Sequence, residues 1–141
     1  MKNLLPDIRS ALLGLASVQN ALAQWEGSPT VFTRRPVPGD ALYPMILVQM
    51  VSGTDVDGLT ARRPVQTYDV IVYGRQKEDL RAVEEVSFSV RNFFQRNRFA
   101  IALDDCSVVL ITCSGPRIAP SSDESLVARM VTLTITLKEE N

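Results

Sequence analysis

The stretch that most constrains the fold is the C-terminal run Val131-Thr132-Leu133-Thr134-Ile135-Thr136-Leu137, where apolar and hydroxyl side chains alternate strictly. Successive strand residues point to opposite faces, so this run has one face that must be covered and one that tolerates water. A slip of one residue would exchange the two faces, so its pairing is well specified. The pattern predicts a last strand over about Leu126 to Lys138, in a sheet covered by helices on one side only.

The helices to cover that face are visible. Lys77 to Arg98 carries Leu80, Val83, Val86, Val90, Phe93 and Phe94 at helical spacing. Glu78 and Asp79 fall in its expected first turn and Arg96 and Arg98 in its last, both favourable to the macrodipole. Residues 4–24 read as a first helix. Pro6 and Asp7 suit its first turn, and Ile8, Leu12, Leu15, Val18 and Leu22 form one apolar stripe that Glu26-Gly27-Ser28-Pro29 ends. Trp25, just below this helix, reads either as a core plug or as an interface anchor.

Between the helices, Thr30 to Thr33 is a short extended piece, and the prolines of Arg34-Arg35-Pro36-Val37-Pro38-Gly39-Asp40 exclude regular structure. Met45 to Val51 is apolar on both faces and reads as an interior strand. Ser52 to Arg63 is polar and reads as a long hairpin loop. Val65 to Tyr73 is a strand with Tyr68, Val70 and Val72 on one face and Asp69, Ile71 and Tyr73 on the other, closed by Gly74. Ser107 to Thr112 reads as a buried strand and Ser114 to Ser125 as a Gly/Pro/Ser loop. At 141 residues the chain suits a single domain over 1–141, with long loops at about 52–63 and 114–125. The expected architecture is α+β: a two-layer, mainly antiparallel four-stranded sheet with two helices packed on one face.

Composition excludes several chemistries. The chain has no histidine, which removes Ser-His and Cys-His nucleophile pairs and the usual neutral-pH acid–base group. Cys106 and Cys113 are seven apart, on opposite faces of an unbroken strand, and read as buried, reduced thiols. Asp55-Val56-Asp57-Gly58 lacks the later ligands of a calcium loop, Asp104-Asp105 reads as a turn, and no phosphate-binding or nucleophile-elbow motif occurs. No catalytic, metal-ligating or cofactor-binding residue is therefore expected. Lys+Arg number 15 against 16 Asp+Glu, a balance that argues against nonspecific attraction to nucleic acid or membrane. No apolar run reaches the roughly 20 residues of a membrane span, and the N-terminal segment reads as an amphipathic helix instead of a signal peptide.

Arginine outnumbers lysine by twelve to three, which leans toward a protein that assembles with others. The pairs Arg34-Arg35 and Arg62-Arg63 stand at loop ends before proline, and Asp55 and Asp57 lie at the other side of the second loop. These read either as solvated charges or as subunit-interface residues in a head-to-tail contact, with Arg forks meeting carboxylates of a neighbour.

The stretches Val31-Phe32, Pro38-Gly39-Asp40-Ala41-Leu42-Tyr43-Pro44-Met45-Ile46-Leu47-Val48 and Gln66-Thr67-Tyr68-Asp69-Val70-Ile71-Val72-Tyr73-Gly74 follow the first helix and lead into the second. This arrangement resembles the tail-terminator (tail-completion) proteins of long-tailed bacteriophages and phage-like particles, over most of residues 5–100. The motifs carrying the resemblance are structural. The resemblance implies a homo-oligomer, a hexameric ring that caps the tail tube, ends its polymerisation and docks to the head-tail connector or neck protein. DNA would pass through the lumen without specific binding. The location implied is the head-proximal end of the virion tail, with assembly in the bacterial cytoplasm. The competing expectations are a head-completion or neck subunit, a small-ligand binding module, and an enzyme built on the Asp and Glu residues.

Overall fold

The computed structural model describes residues 3–34, 42–57, 62–103, 106–119 and 124–139, with backbone alone considered at 53–57, 62, 63 and 139. Arg35, the segment 36–41, Gly58, Asp104, Asp105 and residues 120–123 lie outside the described residues. The elements run α1 (Leu5–Leu13), α2 (Ala16–Ala21), β1 (Gln24–Trp25), β2 (Ser28–Pro29), β3 (Val31–Phe32), β4 (Met45–Asp57), β5 (Arg62–Arg75), α3 (Leu80–Phe94), β6 (Cys106–Ile118) and β7 (Leu126–Glu139).

The main sheet has the order β3-β4-β5-β7-β6. Its four long strands are antiparallel throughout and β3 joins parallel to β4. The expected α+β class is observed, but with five strands in place of four. Val31-Phe32 becomes a strand because Thr30 ties it down: the Ile46 amide donates to the Thr30 carbonyl at 2.8 Å, and the Thr30 hydroxyl donates to the Pro44 carbonyl at 2.9 Å.

The alternating run behaves as its pattern requires. Val131, Leu133, Ile135 and Leu137 are buried under the helices, while Thr132, Thr134 and Thr136 stay half-buried on the opposite face. Tyr68, Val70 and Val72 of β5 and Ile46 and Val48 of β4 share the covered face. Against them pack Ile8 and Leu12 of α1, Val18 of α2, and Val83, Val86, Val90 and Phe94 of α3.

The first helix is two helices, not one. Leu15 turns extended (φ −80°, ψ 129°), so its carbonyl accepts from the Gln19 amide at 3.0 Å and starts α2. The Gln19 side-chain amide donates to the Leu13 carbonyl at 2.8 Å, satisfying an orphan acceptor at the end of α1. The apolar stripe survives this break, which is why spacing alone did not reveal it. Beyond α2, β1 and β2 form a small hairpin around Glu26 and Gly27, both at positive φ (50° and 82°), as a mirror-image two-residue turn requires. Glutamate is poorly suited to that conformation. Glu26→Gly is expected to raise stability by about 0.5–1 kcal/mol, read from denaturant midpoints, and a loss would show that the Glu26 side chain holds the turn.

α3 is shorter than Lys77–Arg98. Asp79 turns its carboxylate back to accept from the Arg75 amide at 2.8 Å, closing a turn that delays the helix to Leu80. At the other end Gln95 leaves helical geometry and Arg96 has positive φ (54°), so Arg96 and Arg98 lie beyond the helix. Both expected long loops shrink as well. β4 and β5 stay paired from Ser52 opposite Thr67 to Asp57 opposite Arg62, after a bulge at Val51. β6 continues to Ile118 across a register shift between Ser114 and Arg117. A ribbon outside the core needs backbone pairing only, so it lacks the apolar alternation that marks a buried strand.

Candidate assembly surfaces

The distal half of the β4–β5 hairpin is an arm. β5 pairs with β7 only from Val65 onward, so Arg62–Pro64 and the facing Asp55–Asp57 extend about 10 Å beyond that pairing. Four of the sequence candidates meet here: Asp57 stands opposite Arg62, Val56 opposite Arg63, and Asp55 opposite Pro64. Alternation puts the Asp55, Asp57 and Arg62 positions on one face of the arm and the Arg63 position on the other. The Asp57 and Arg62 positions thus stand opposite each other within one chain. Arg34 is exposed just past β3, away from the arm's tip, and Arg35 lies outside the described residues.

Apart from Leu80 and Phe88 on α3, the exposed large apolar side chains lie along the two lateral edges of the sheet. Leu42, Met50 and Val51 (54, 42 and 55% exposed) lie on or just before β4. Val109, Leu110 and Ile118 (40, 44 and 76%) lie on β6, and Phe99 (80%) on the connection leading into it. Patches of this kind mark interaction sites more often than isolated exposed residues do. The β6 side was missed from sequence. Its signal is Val109-Leu110, adjacent apolar residues that a bulge between Val108 and Leu110 turns outward.

Both edges are partly guarded. On β3 the Arg9 Nε donates to the Val31 carbonyl at 3.0 Å. On β6 the Arg96 amide donates to the Ile111 carbonyl at 2.9 Å, and the Gln95 Oε1 accepts from the Cys113 amide at 2.6 Å. Trp25 is half-buried outside the main core, edge-on to Phe32 at 5.6 Å, so it is not the core plug that one reading expected.

The uncovered sheet face is apolar at one end, where Ile71, Ala119 and Ala128 are buried with Tyr73 and Met130 against them, and carries a polar network beside that cluster. The Thr132 hydroxyl donates to Asp69 Oδ1 at 2.7 Å and accepts from Arg117 at 2.7 Å, and Arg117 also reaches the Ser114 hydroxyl at 3.2 Å. This ties β5, β7 and β6 across three strands. Asp69 and Arg117 are linked through the Thr132 hydroxyl, which accepts from one and donates to the other.

Nothing described assembles a reactive centre. Among the described residues no group of three or more His, Cys, Asp or Glu is placed to hold a metal ion, and no helix is long and apolar enough to cross a membrane. A depression of about 520 Å³ beside the start of α3 is walled by Arg75, Lys77, Glu78 and Glu124, charges of both signs without a convergent polar set. The bulge at Val109 puts Cys106 and Cys113 on the same face, contrary to the unbroken-strand expectation. They still cannot pair: their β7 partners, Glu139 and Leu133, put them about 20 Å apart along the strand. Burial pushes the Cys113 thiol up to about 11, against a smaller lowering by Arg91. Alkylation of Cys113 at pH 8 is therefore expected to run at least about tenfold slower than for an ordinary thiol, accelerating toward pH 11. Rapid labelling at pH 8 in the folded protein would contradict this.

No family model and no curated protein matches the sequence. Among solved structures the chain is similar to one in the "Virion of native gene transfer agent (GTA) particle", with a TM-score of 0.73 and 11% identity. The match covers 96% of this chain and 94% of that one. At this identity the likeness is one of fold, and over nearly its whole length the chain shares the fold of a component of that virion.

Proposed function

We propose that this protein is a structural, ring-forming subunit of a phage-like particle, which caps the tail tube, ends its polymerisation and presents the docking surface for the head connector. The full-length likeness to a virion chain carries this reading. The two unlike apolar edges support it, because a head-to-tail ring needs two different complementary patches on each subunit. The function asks for no chemistry, and the described residues supply geometry and contact surface alone. On this reading the protein has no enzymatic activity, cofactor or metal. DNA traverses the ring, and the tail tube and the neck protein flank it. A neighbouring role as a head-completion or neck subunit draws on the same likeness, since a virion holds rings at both positions.

Electron microscopy of the concentrated protein, alone and with tail tubes or connectors, tests the reading. Rings of about six subunits at tube ends support the terminator role. Rings bound to connectors alone move the protein to the neck, and monomers that ignore both partners overturn assembly altogether. The arm gives a second test. Replacing both Arg62 and Arg63 by glutamate is expected to weaken ring formation by about tenfold or more in protein concentration, with the circular dichroism spectrum unchanged. Unaltered assembly would remove both residues from the interface.

A further inference from the structure

Beside β3 the fold holds a groove of about 290 Å³, where Arg9 of α1 meets the β1–β2 hairpin. Trp25, Pro29 and Phe32 supply apolar walls, and Arg9, Thr33 and Arg34 line the rest. The bond from Arg9 Nε to the Val31 carbonyl holds that guanidinium in place. Neither arginine has a carboxylate in ion-pair reach among the described residues. The groove is smaller than the roughly 300–1,000 Å³ of small-molecule sites, so it suits a single side chain. Two aromatic rings and two guanidinium groups favour a third ring there, edge-on to the first two and beside the cations.

The opposite flank presents such a ring. Phe88 of α3 is 55% exposed. Helical spacing places it in line with Glu84 and Gln95, both of which face the strands on the β6 side. Glu84 accepts from Arg129 of β7 at 3.3 Å, and Gln95 accepts from the Cys113 amide of β6. The charges around Phe88 balance, Arg81 and Arg91 against Glu84 and Glu85, so the ring is what this flank offers a partner.

The two features stand at one height. Ile46, Val72, Arg129 and Ile118 share one rung of the sheet, and Met50, Tyr68, Leu133 and Cys113 share another. Helical rise puts Phe88 about 6 Å past Glu84, at the first rung, and about 10 Å short of Gln95, at the second. At about 3.3 Å per strand residue, both counts end at the level of Leu47 and Val48. Phe32 pairs with Leu47, and Thr33 follows it. Rotation about an axis along the strands preserves height. A ring of that orientation therefore sets the β6 flank of one copy against the β3 flank of the next, with Phe88 opposite the groove.

We infer that Phe88 of one copy seats in the groove of the next, against Trp25 and Phe32 and between Arg9 and Arg34. This rests on the ring-forming reading and names the contact that builds the ring. Side chains make it, and no strand edge has to pair.

The protein's single tryptophan lies in the groove and reports on it. Its emission is expected to shift to shorter wavelength on assembly. Phe88→Ala is expected to raise the concentration for half-assembly about tenfold or more, and Phe88→Tyr to stay within about threefold of the unsubstituted protein. With p-benzoylphenylalanine in place of Phe88, irradiation of assembled protein is expected to give dimers crosslinked to the Trp25–Arg34 segment, located by mass spectrometry. Rings whose crosslinks fall elsewhere, or that Phe88→Ala leaves undiminished, overturn this contact and leave the ring reading standing. Failure of the unsubstituted protein to assemble, with or without tail tubes, overturns both.

Discussion

Gly74→Ala is expected to destabilise the protein by about 1–3 kcal/mol, against the direction that backbone entropy alone predicts. A glycine whose φ is not positive ordinarily gains about 0.4–1 kcal/mol when replaced by alanine, because the unfolded chain loses freedom. Gly74 is not among the positive-φ residues, so that gain would apply here if space allowed. Space does not allow it. A Cβ at Gly74 would stand 2.6 Å from both Asp79 Cβ and Val83 Cγ2. Val83 is fully buried and Asp79 is held by the Arg75 amide, so neither can swing aside cheaply. The start of α3 would have to lift off β5. Urea denaturation with an unchanged m-value is the measurement, and a neutral or stabilising result would show that the helix start yields.

Tyr68→Phe is expected to cost more, about 2–5 kcal/mol, for the removal of one oxygen atom. Tyr68 and Gln66 are both fully buried. The Tyr68 hydroxyl donates to Gln66 Oε1 at 2.5 Å and accepts from the Leu4 amide at 3.0 Å. That amide is one of the donors a helix start leaves orphaned, so this hydroxyl ties α1 to the centre of the sheet. Removing it takes the partner from the buried Leu4 amide and one hydrogen bond from the buried Gln66, at about 1–3 kcal/mol each. Gln66→Leu added to Tyr68→Phe should return part of the loss, because the acceptor also disappears. A cost below about 1 kcal/mol for Tyr68→Phe would mean that other groups satisfy the pair.

The same tyrosine sets an alkaline limit. Desolvation raises its ionisation above 10.0, Asp7 adds to the rise, and the Leu4 hydrogen bond opposes it. A raised acid contributes stability that is present below its unfolded value and lost as pH climbs through the folded one. Cys113 acts in the same direction between its ordinary 9.0 and about 11. Stability should therefore decline above about pH 9, less steeply at the tyrosine step in Tyr68→Phe.

What could be read from the sequence was whatever burial writes into it. The β7 alternation and the α3 periodicity survive because a slip in either exposes leucines and valines to water, a cost large enough to govern residue choice. The Ser52–Asp57 half of the arm, the extension of β6 and the joining of the short Thr30–Thr33 strand to the sheet were not legible. Their pairing is made by backbone groups that every residue carries, so side-chain identity hardly reports it. The break at Leu15 was hidden because both halves of the helix continue one stripe.

The candidate surface divides the same way. Sequence alone determined that the chain lacks the residues for histidine chemistry, that its charges balance, and that Arg34, Arg35, Asp55, Asp57, Arg62 and Arg63 lie in polar, proline- and glycine-bearing stretches. Only the tertiary structure decided that Asp57 and Arg62 share a rung, and that the bulges at Val51 and Val109 leave apolar residues outward on opposite edges. The physical reason is that burial acts residue by residue and so leaves a pattern in the sequence. Register, edge position and strand direction are properties of pairs of distant segments, and exist only once the chain has closed on itself.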